Sequence, residues 1–249
     1  MRQTAAVAVM LAALSACSSG PTAPSPTPGQ ARLVADRCAD LIVLGVRGQA
    51  QSARASAGVG AEVHHSTKAL VGQLDGGERV RLEAIQYPAS AASTMEVFDR
   101  DVEAGRVELL ARHAELGSAC PRSRFVFMGY SEGADVVHRA AATMSTKQAS
   151  DIAVVAVLGD PLRIPTDEVA TETYGSGRLN GRGSLSGGPQ WGKDVRDRVI
   201  TFCHADDNVC NVPAAGRQGG ISAVHRSFYE KTSSARVTAQ RMARVIGTS

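Results

Sequence analysis

Residues 125–141 read FVFMGYSEGADVVHRAA. An apolar run ending at Met128 meets Gly129-Tyr130-Ser131-Glu132-Gly133, and Ala134, Val137 and Ala141 follow at helical spacing. A short buried strand feeding straight into a helix is the unit from which parallel sheets are built. The Gly-x-Ser-x-Gly spacing at this junction is that of a nucleophile elbow, where a serine stands on a sharp strand-to-helix turn and flanking glycines relieve the crowding. A helix starting just after Ser131 also aims its N-terminal amides at charge forming on a substrate.

The same rhythm recurs on both sides of this stretch. DLIVLGV (40–46), VRLEAI (80–85), RFVFMG (124–129), IAVVAVLG (152–159) and RVITFC (198–203) each read as a buried strand rich in Val, Ile, Leu and Phe. Between them, Phe98, Val102, Gly105, Leu109 and Leu116 share one helical face, as do Ala235, Ala239, Met242 and Ile246 near the end of the chain. The expectation is an α/β fold, a three-layer sandwich with a central five-stranded parallel sheet and helices on both faces. Thr171 to Gly192 is glycine-rich and aperiodic, hence a surface excursion between the fourth and fifth strands. Its GRGSLSGG portion lacks the preceding strand and following Lys-Ser or Lys-Thr of a phosphate loop, which argues against nucleotide binding.

The first residues, MRQTAAVAVMLAALSAC, place one early positive charge before a short apolar run and small residues. That is the shape of a secretory signal, and Leu14-Ser15-Ala16-Cys17 looks like a bacterial lipobox. The expected organisation is a signal peptide over 1–16, a lipidated Cys17 opening a Ser/Pro/Thr-rich tether over 17–34, and one domain over 35–249, exported and anchored to the outer face of the cell membrane or envelope. With Cys17 assigned to lipid, the five cysteines leave Cys38, Cys120, Cys203 and Cys210, an even set that allows three pairings. The net charge of +3 is spread without long runs, so nucleic acid is not expected as a partner. A monomer is expected.

A serine nucleophile needs a base, and the base a carboxylate to orient it. Of the downstream histidines, His138 lies on the same helix as Ser131 and reads as a surface or packing residue, and His204 abuts the fifth strand. His225, before the last helix, is the better base. CHADDNVC offers Asp206 and Asp207 as acids at the carboxyl end of the fifth strand, where ligands meet open parallel sheets. Asp160, in Gly159-Asp160-Pro161, reads as a turn or cap residue. His64-His65 has no accompanying ligand cluster, so no metal site is expected, and Trp191 reads as cover for the core.

These residues carry a resemblance to the cutinase family, carboxylester hydrolases of compact α/β-hydrolase fold, from about Cys38 to the last helix. CADLIVLGVRGQ (38–49) is similar to the family's opening Cys-x-Asp, strand and Arg-Gly turn. Tyr87-Pro88-Ala89 resembles its Tyr-Pro-Ala turn, and Cys120-Pro121 its Cys-Pro. GYSEGA stands where members usually have GYSQGA, and CHADDNVC matches two half-cystines seven apart. The resemblance implies Ser131, Asp207 and His225 as catalytic residues, an oxyanion hole from the amides of Glu132 and Gln49, and disulfides Cys38–Cys120 and Cys203–Cys210. It implies an ester or lipid substrate and no cofactor.

Two departures bear on activity. Gln49 replaces a Ser or Thr whose hydroxyl usually assists the oxyanion hole, and Glu132 brings a carboxylate beside it unless the side chain turns to a cation such as Arg47. Alternatives are an inert envelope lipoprotein that binds lipid or a partner, and an acyltransferase.

Overall fold

Val, Ile, Leu and Phe fill the strands on both sides of the pleat, so the sheet must be covered on both faces. The computed structural model describes residues 29–248 except 186 and 217–218; the expected signal peptide and Cys17 lie outside the described residues. The strands are β1 (Arg32–Leu33), β2 (Leu41–Val46), β3 (Arg79–Ala84), β4 (Arg124–Tyr130), β5 (Ile152–Leu158), β6 (Ala170–Tyr174) and β7 (Val199–His204). They form one seven-stranded sheet in the order β1-β3-β2-β4-β5-β7-β6, with every neighbouring pair parallel.

Alternation along the strands divides the core in two. Ile42, Leu44, Phe125, Phe127, Val155 and Val157 face α2 (Met95–Ala119) and α3 (Glu132–Ala142), where Val102, Leu109, Val136 and Ala140 meet them. On the other face Val43, Val126, Met128, Val154 and Phe202 pack with Val63 and Leu70 of α1 (Ala61–Val71) and with Ala239, Met242 and Ile246 of α6 (Thr232–Thr248). The short α4 (Thr146–Ala149) and α5 (Ala223–Ser227) lie in connections. The three-layer expectation holds, and the last-helix face is buried as the periodicity implied.

The strand count is corrected from five to seven. The two added strands are edges. Arg32 and Leu33, expected in the tether, pair with Arg79 and Val80. The segment from Thr171, expected as aperiodic excursion, begins within β6, which pairs only with β7 and buries only Tyr174. An edge strand bonded on one side needs no continuous apolar run, so its sequence carries little signal.

Candidate active site

The order of the sheet reverses between β2 and β4, and the loops leaving their carboxyl ends form a crevice there. Ser131 occupies the turn between β4 and α3 with φ 55° and ψ −117°, a conformation costly for a non-glycine residue. The flanking glycines permit the turn by contact as well as by torsion. A Cβ on Gly129 would sit 2.1 Å from the Gly133 carbonyl oxygen, and one on Gly133 would sit 2.2 Å from that of Val46.

The sequence-expected residues meet around this turn. The Ser131 Oγ lies 2.8 Å from His225 Nε2, and His225 Nδ1 lies 2.9 Å and 3.0 Å from the two oxygens of Asp207. Asp207 follows β7, and His225 sits in α5, whose N-cap Ser222 accepts from the His225 amide at 3.1 Å. Asp206 is not part of the series: its carboxylate is 79% exposed, beside His204. Burial alone would raise the Asp207 carboxyl, but the hydrogen bond and charge of His225, with bonds from Tyr229 and the Val209 amide, leave it below its ordinary value.

Several groups that hold this series were given no role from the sequence. The Tyr229 hydroxyl, fully buried, donates to Asp207 Oδ2 at 2.6 Å and accepts from the His204 amide at 3.0 Å. Tyr130 stacks on the His225 ring at 5.1 Å and donates to the His225 carbonyl at 2.6 Å. Asn208 ties the two loops together, accepting from the Ser222 amide and donating to the Gly220 carbonyl, both at 2.8 Å. Gly159, at φ 61° after β5, leaves room for the pair: a Cβ there would meet His225 Cε1 at 2.9 Å and Asp207 Oδ2 at 3.2 Å. The sequence pointed at that turn only through Asp160.

Both expected disulfides form, Cys38–Cys120 and Cys203–Cys210. The second closes the loop that carries Asp207. The excursion beyond β6 is fastened to the same loop. Arg163, buried, donates to the Cys210 carbonyl at 2.6 Å and to the Gly181 carbonyl, and the Ser184 amide donates to the Val209 carbonyl at 2.7 Å. His138 is a packing residue, wholly buried, with Nδ1 2.7 Å from Asp160 and Nε2 3.0 Å from the Pro189 carbonyl. Its ring stacks on Trp191 at 3.7 Å. Asp160 is also the turn residue expected, accepting from the Leu162 amide at 2.9 Å.

Ser131, Glu132 and Gln49 line a cavity of about 510 Å³ together with apolar Phe98, Leu185 and Val209. The turn that carries Gln49 is braced by the Gln51 side chain. Gln51 Oε1 accepts from the Gly48 amide and its Nε2 donates to buried Glu62, both at 2.7 Å. Arg47 does not turn to Glu132, contrary to expectation. Its guanidinium donates to the Gln51, Tyr87 and Pro88 carbonyls, while both carboxyl oxygens of Glu132 are buried with no hydrogen-bond partner. Burial pushes the Glu132 carboxyl up to about 7, outweighing a smaller lowering by the nearby Tyr87 hydroxyl, which donates to the Arg47 carbonyl at 2.5 Å.

Comparison with known proteins bears on the family and the fold. The model of the Cutinase family matches residues 37–241. The carboxylesterase Culp1 of Mycobacterium tuberculosis is 28% identical over 196 residues, covering 79% of this chain and 77% of its own. A cutinase of Botryotinia fuckeliana is 25% identical over 173 residues, 70% of each chain. Among solved structures, a cutinase-like protein from Cryptococcus sp. superposes with a TM-score of 0.65 at 19% identity, covering 85% of this chain and 97% of that one. The catalytic core domain of acetyl xylan esterase from Trichoderma reesei gives 0.64 at 18%, with 85% and 98% covered. At those identities the two structures speak to the fold alone.

Proposed function

The chain belongs to the cutinase family, and from that premise we propose that it is an exported serine esterase hydrolysing carboxylic esters through an acyl-enzyme. The observation that carries the reading is the hydrogen-bonded series Ser131–His225–Asp207 opening on the cavity. Ser131 Oγ attacks the ester carbonyl while His225 Nε2 takes its proton, and Asp207 holds the imidazole in the tautomer this requires. The oxyanion faces the amides of Glu132 and Gln49. Collapse expels the alcohol, which receives the proton from His225, and water then hydrolyses the acyl-enzyme through the same base.

The two disulfides support export to an oxidising compartment. The organisation we propose is a signal peptide over 1–16, a lipidated Cys17 with its tether, and a monomeric hydrolase domain facing ester or lipid substrates. Fluorophosphonate labelling tests the chemistry. The wild type should label and Ser131→Ala should not; labelling of both would place the nucleophile elsewhere. A panel of nitrophenyl esters of increasing length then reads acyl preference, and product analysis with an added alcohol separates hydrolysis from acyl transfer.

A further inference from the structure

Arg182 stands on the cavity wall, in the excursion beyond β6, on a stretch of backbone built to present one side chain. Its amide donates to the Val212 carbonyl at 3.0 Å and its carbonyl accepts from the Val212 amide at 2.7 Å, an isolated antiparallel bridge. Both neighbours are glycines pressed against backbone. A Cβ on Gly181 would lie 2.1 Å from the Val212 carbonyl oxygen, and one on Gly183 would lie 2.1 Å from that of Pro161. Further bonds fix the stretch: Gly181 donates to Asn211 Oδ1 and Gly183 to the Arg163 carbonyl, each at 2.8 Å. Successive residues of extended chain face opposite sides, so seating 181 and 183 against the protein turns 182 outward.

The side chain so presented is exposed and lines the same cavity as Ser131. Among the described residues it has no carboxylate partner and no side-chain hydrogen bond. The other ionisable residue on the lining is Glu132, whose carboxyl oxygens are closed off from solvent. Among the described residues the lining therefore carries one accessible charge, and it is positive. A guanidinium presents a fork of donors that matches a carboxylate or phosphate, and a cleft of one sign draws in ligands of the other.

We propose that Arg182 forms a subsite for an anionic group on the substrate, so that the site takes esters bearing a carboxylate or phosphate near the ester bond in preference to neutral esters of equal length. This rests on the esterase reading and names its substrate class. Phosphonate esters of equal chain length, ending in methyl, carboxylate or phosphate, test it by their rates of reaction with Ser131. The methyl-ended probe reports the esterase reading by itself, through its dependence on Ser131.

The ratio of anionic to methyl-ended rates reports the subsite. It should fall about fivefold in R182A and about tenfold or more in R182E, as for a partly exposed charge pair. In the wild type, 0.5 M salt should shrink the same ratio. The probe with the larger drop identifies the anion. Ratios equal in wild type, R182A and R182E would overturn the subsite while leaving the esterase reading intact. Failure of every probe to label Ser131 would overturn both.

Discussion

Gly159 and His225 are packed so closely that a single added methyl group would come within 2.9 Å of the imidazole Cε1. The cause is the sheet order: β5 lies between β4 and β7, so the chain leaving it passes beside the pair drawn from β7 and α5. Gly159→Ala should lower kcat/KM about 100-fold, the cost of a misplacement of roughly an ångström at a reacting group. Unchanged circular dichroism with this loss would locate the effect at the site. Near-wild-type turnover would show that the His225–Asp207 pair tolerates displacement.

Glu132 predicts a limit on the alkaline side. Burial raises its carboxyl to about 7, carboxylates of Asp101 and Asp135 add to the rise, and Arg47 opposes it. Below that pH the group is neutral; above it a buried negative charge stands in the first turn of the helix that Ser131 caps, near the proposed oxyanion. The wild-type kcat should fall about tenfold between pH 7 and 9. Glu132→Gln should abolish that fall. A pH-rate profile unaltered by the substitution would remove Glu132 from the account. The stability effect has a definite sign. A carboxyl raised above its ordinary 4.5 costs stability increasingly from pH 4.5 to about 7 and constantly beyond, so Glu132→Gln should be more stable than the wild type at pH 8.

His138 faces an acceptor at each nitrogen, the Asp160 carboxylate and the Pro189 carbonyl, so both must carry protons. Burial works against that charge, but Asp160, the Pro189 carbonyl and Asp135 outweigh it and raise the imidazole above its ordinary value. The stabilisation is fully present below the unfolded-state value and is lost as pH rises through the folded one. Over that window the wild-type Tm should drop by more than that of His138→Gln. Parallel Tm curves would refute a charged His138.

The two disulfides should separate stability from activity. Cys38–Cys120 spans 82 residues and Cys203–Cys210 spans 7, so chain entropy assigns about 4–5 kcal/mol to the first and about 2–3 kcal/mol to the second. Replacing Cys38 and Cys120 by Ala should lower Tm more. Replacing Cys203 and Cys210 should lower kcat more, since that loop carries Asp207. Thermal melts beside ester turnover compare the pairs directly, and the opposite ranking in either assay would contradict the assignment.

The central strands, Ser131 and the acid loop were legible because each leaves a local mark: an apolar run, a glycine-flanked serine, acids between half-cystines. The choice of Asp207 within that loop came from the family resemblance, and that of His225 from weighing it against the other histidines together with that resemblance. Their assembly was not. Tyr229 reaches Asp207 across 22 residues and Arg163 reaches Cys210 across 47, and neither has a spacing that signals its partner. The edges β1 and β6 escaped because strands bonded on one side are not obliged to be apolar. The fate of Glu132 also depended on packing. Arg47 is close in sequence to Gln49, yet its Nε and Nη2 are directed to three backbone carbonyls rather than to Glu132.

The first strand has a directional consequence. Arg32 and Leu33 pair with the opening residues of β3, at the end of the sheet where its strands begin, whereas Ser131 stands where β4 ends. A strand of this length separates the two by about 20 Å. The described chain therefore enters the fold at the end of the sheet opposite the cavity, so a load applied through Arg32 reaches an outer strand before it reaches the crevice.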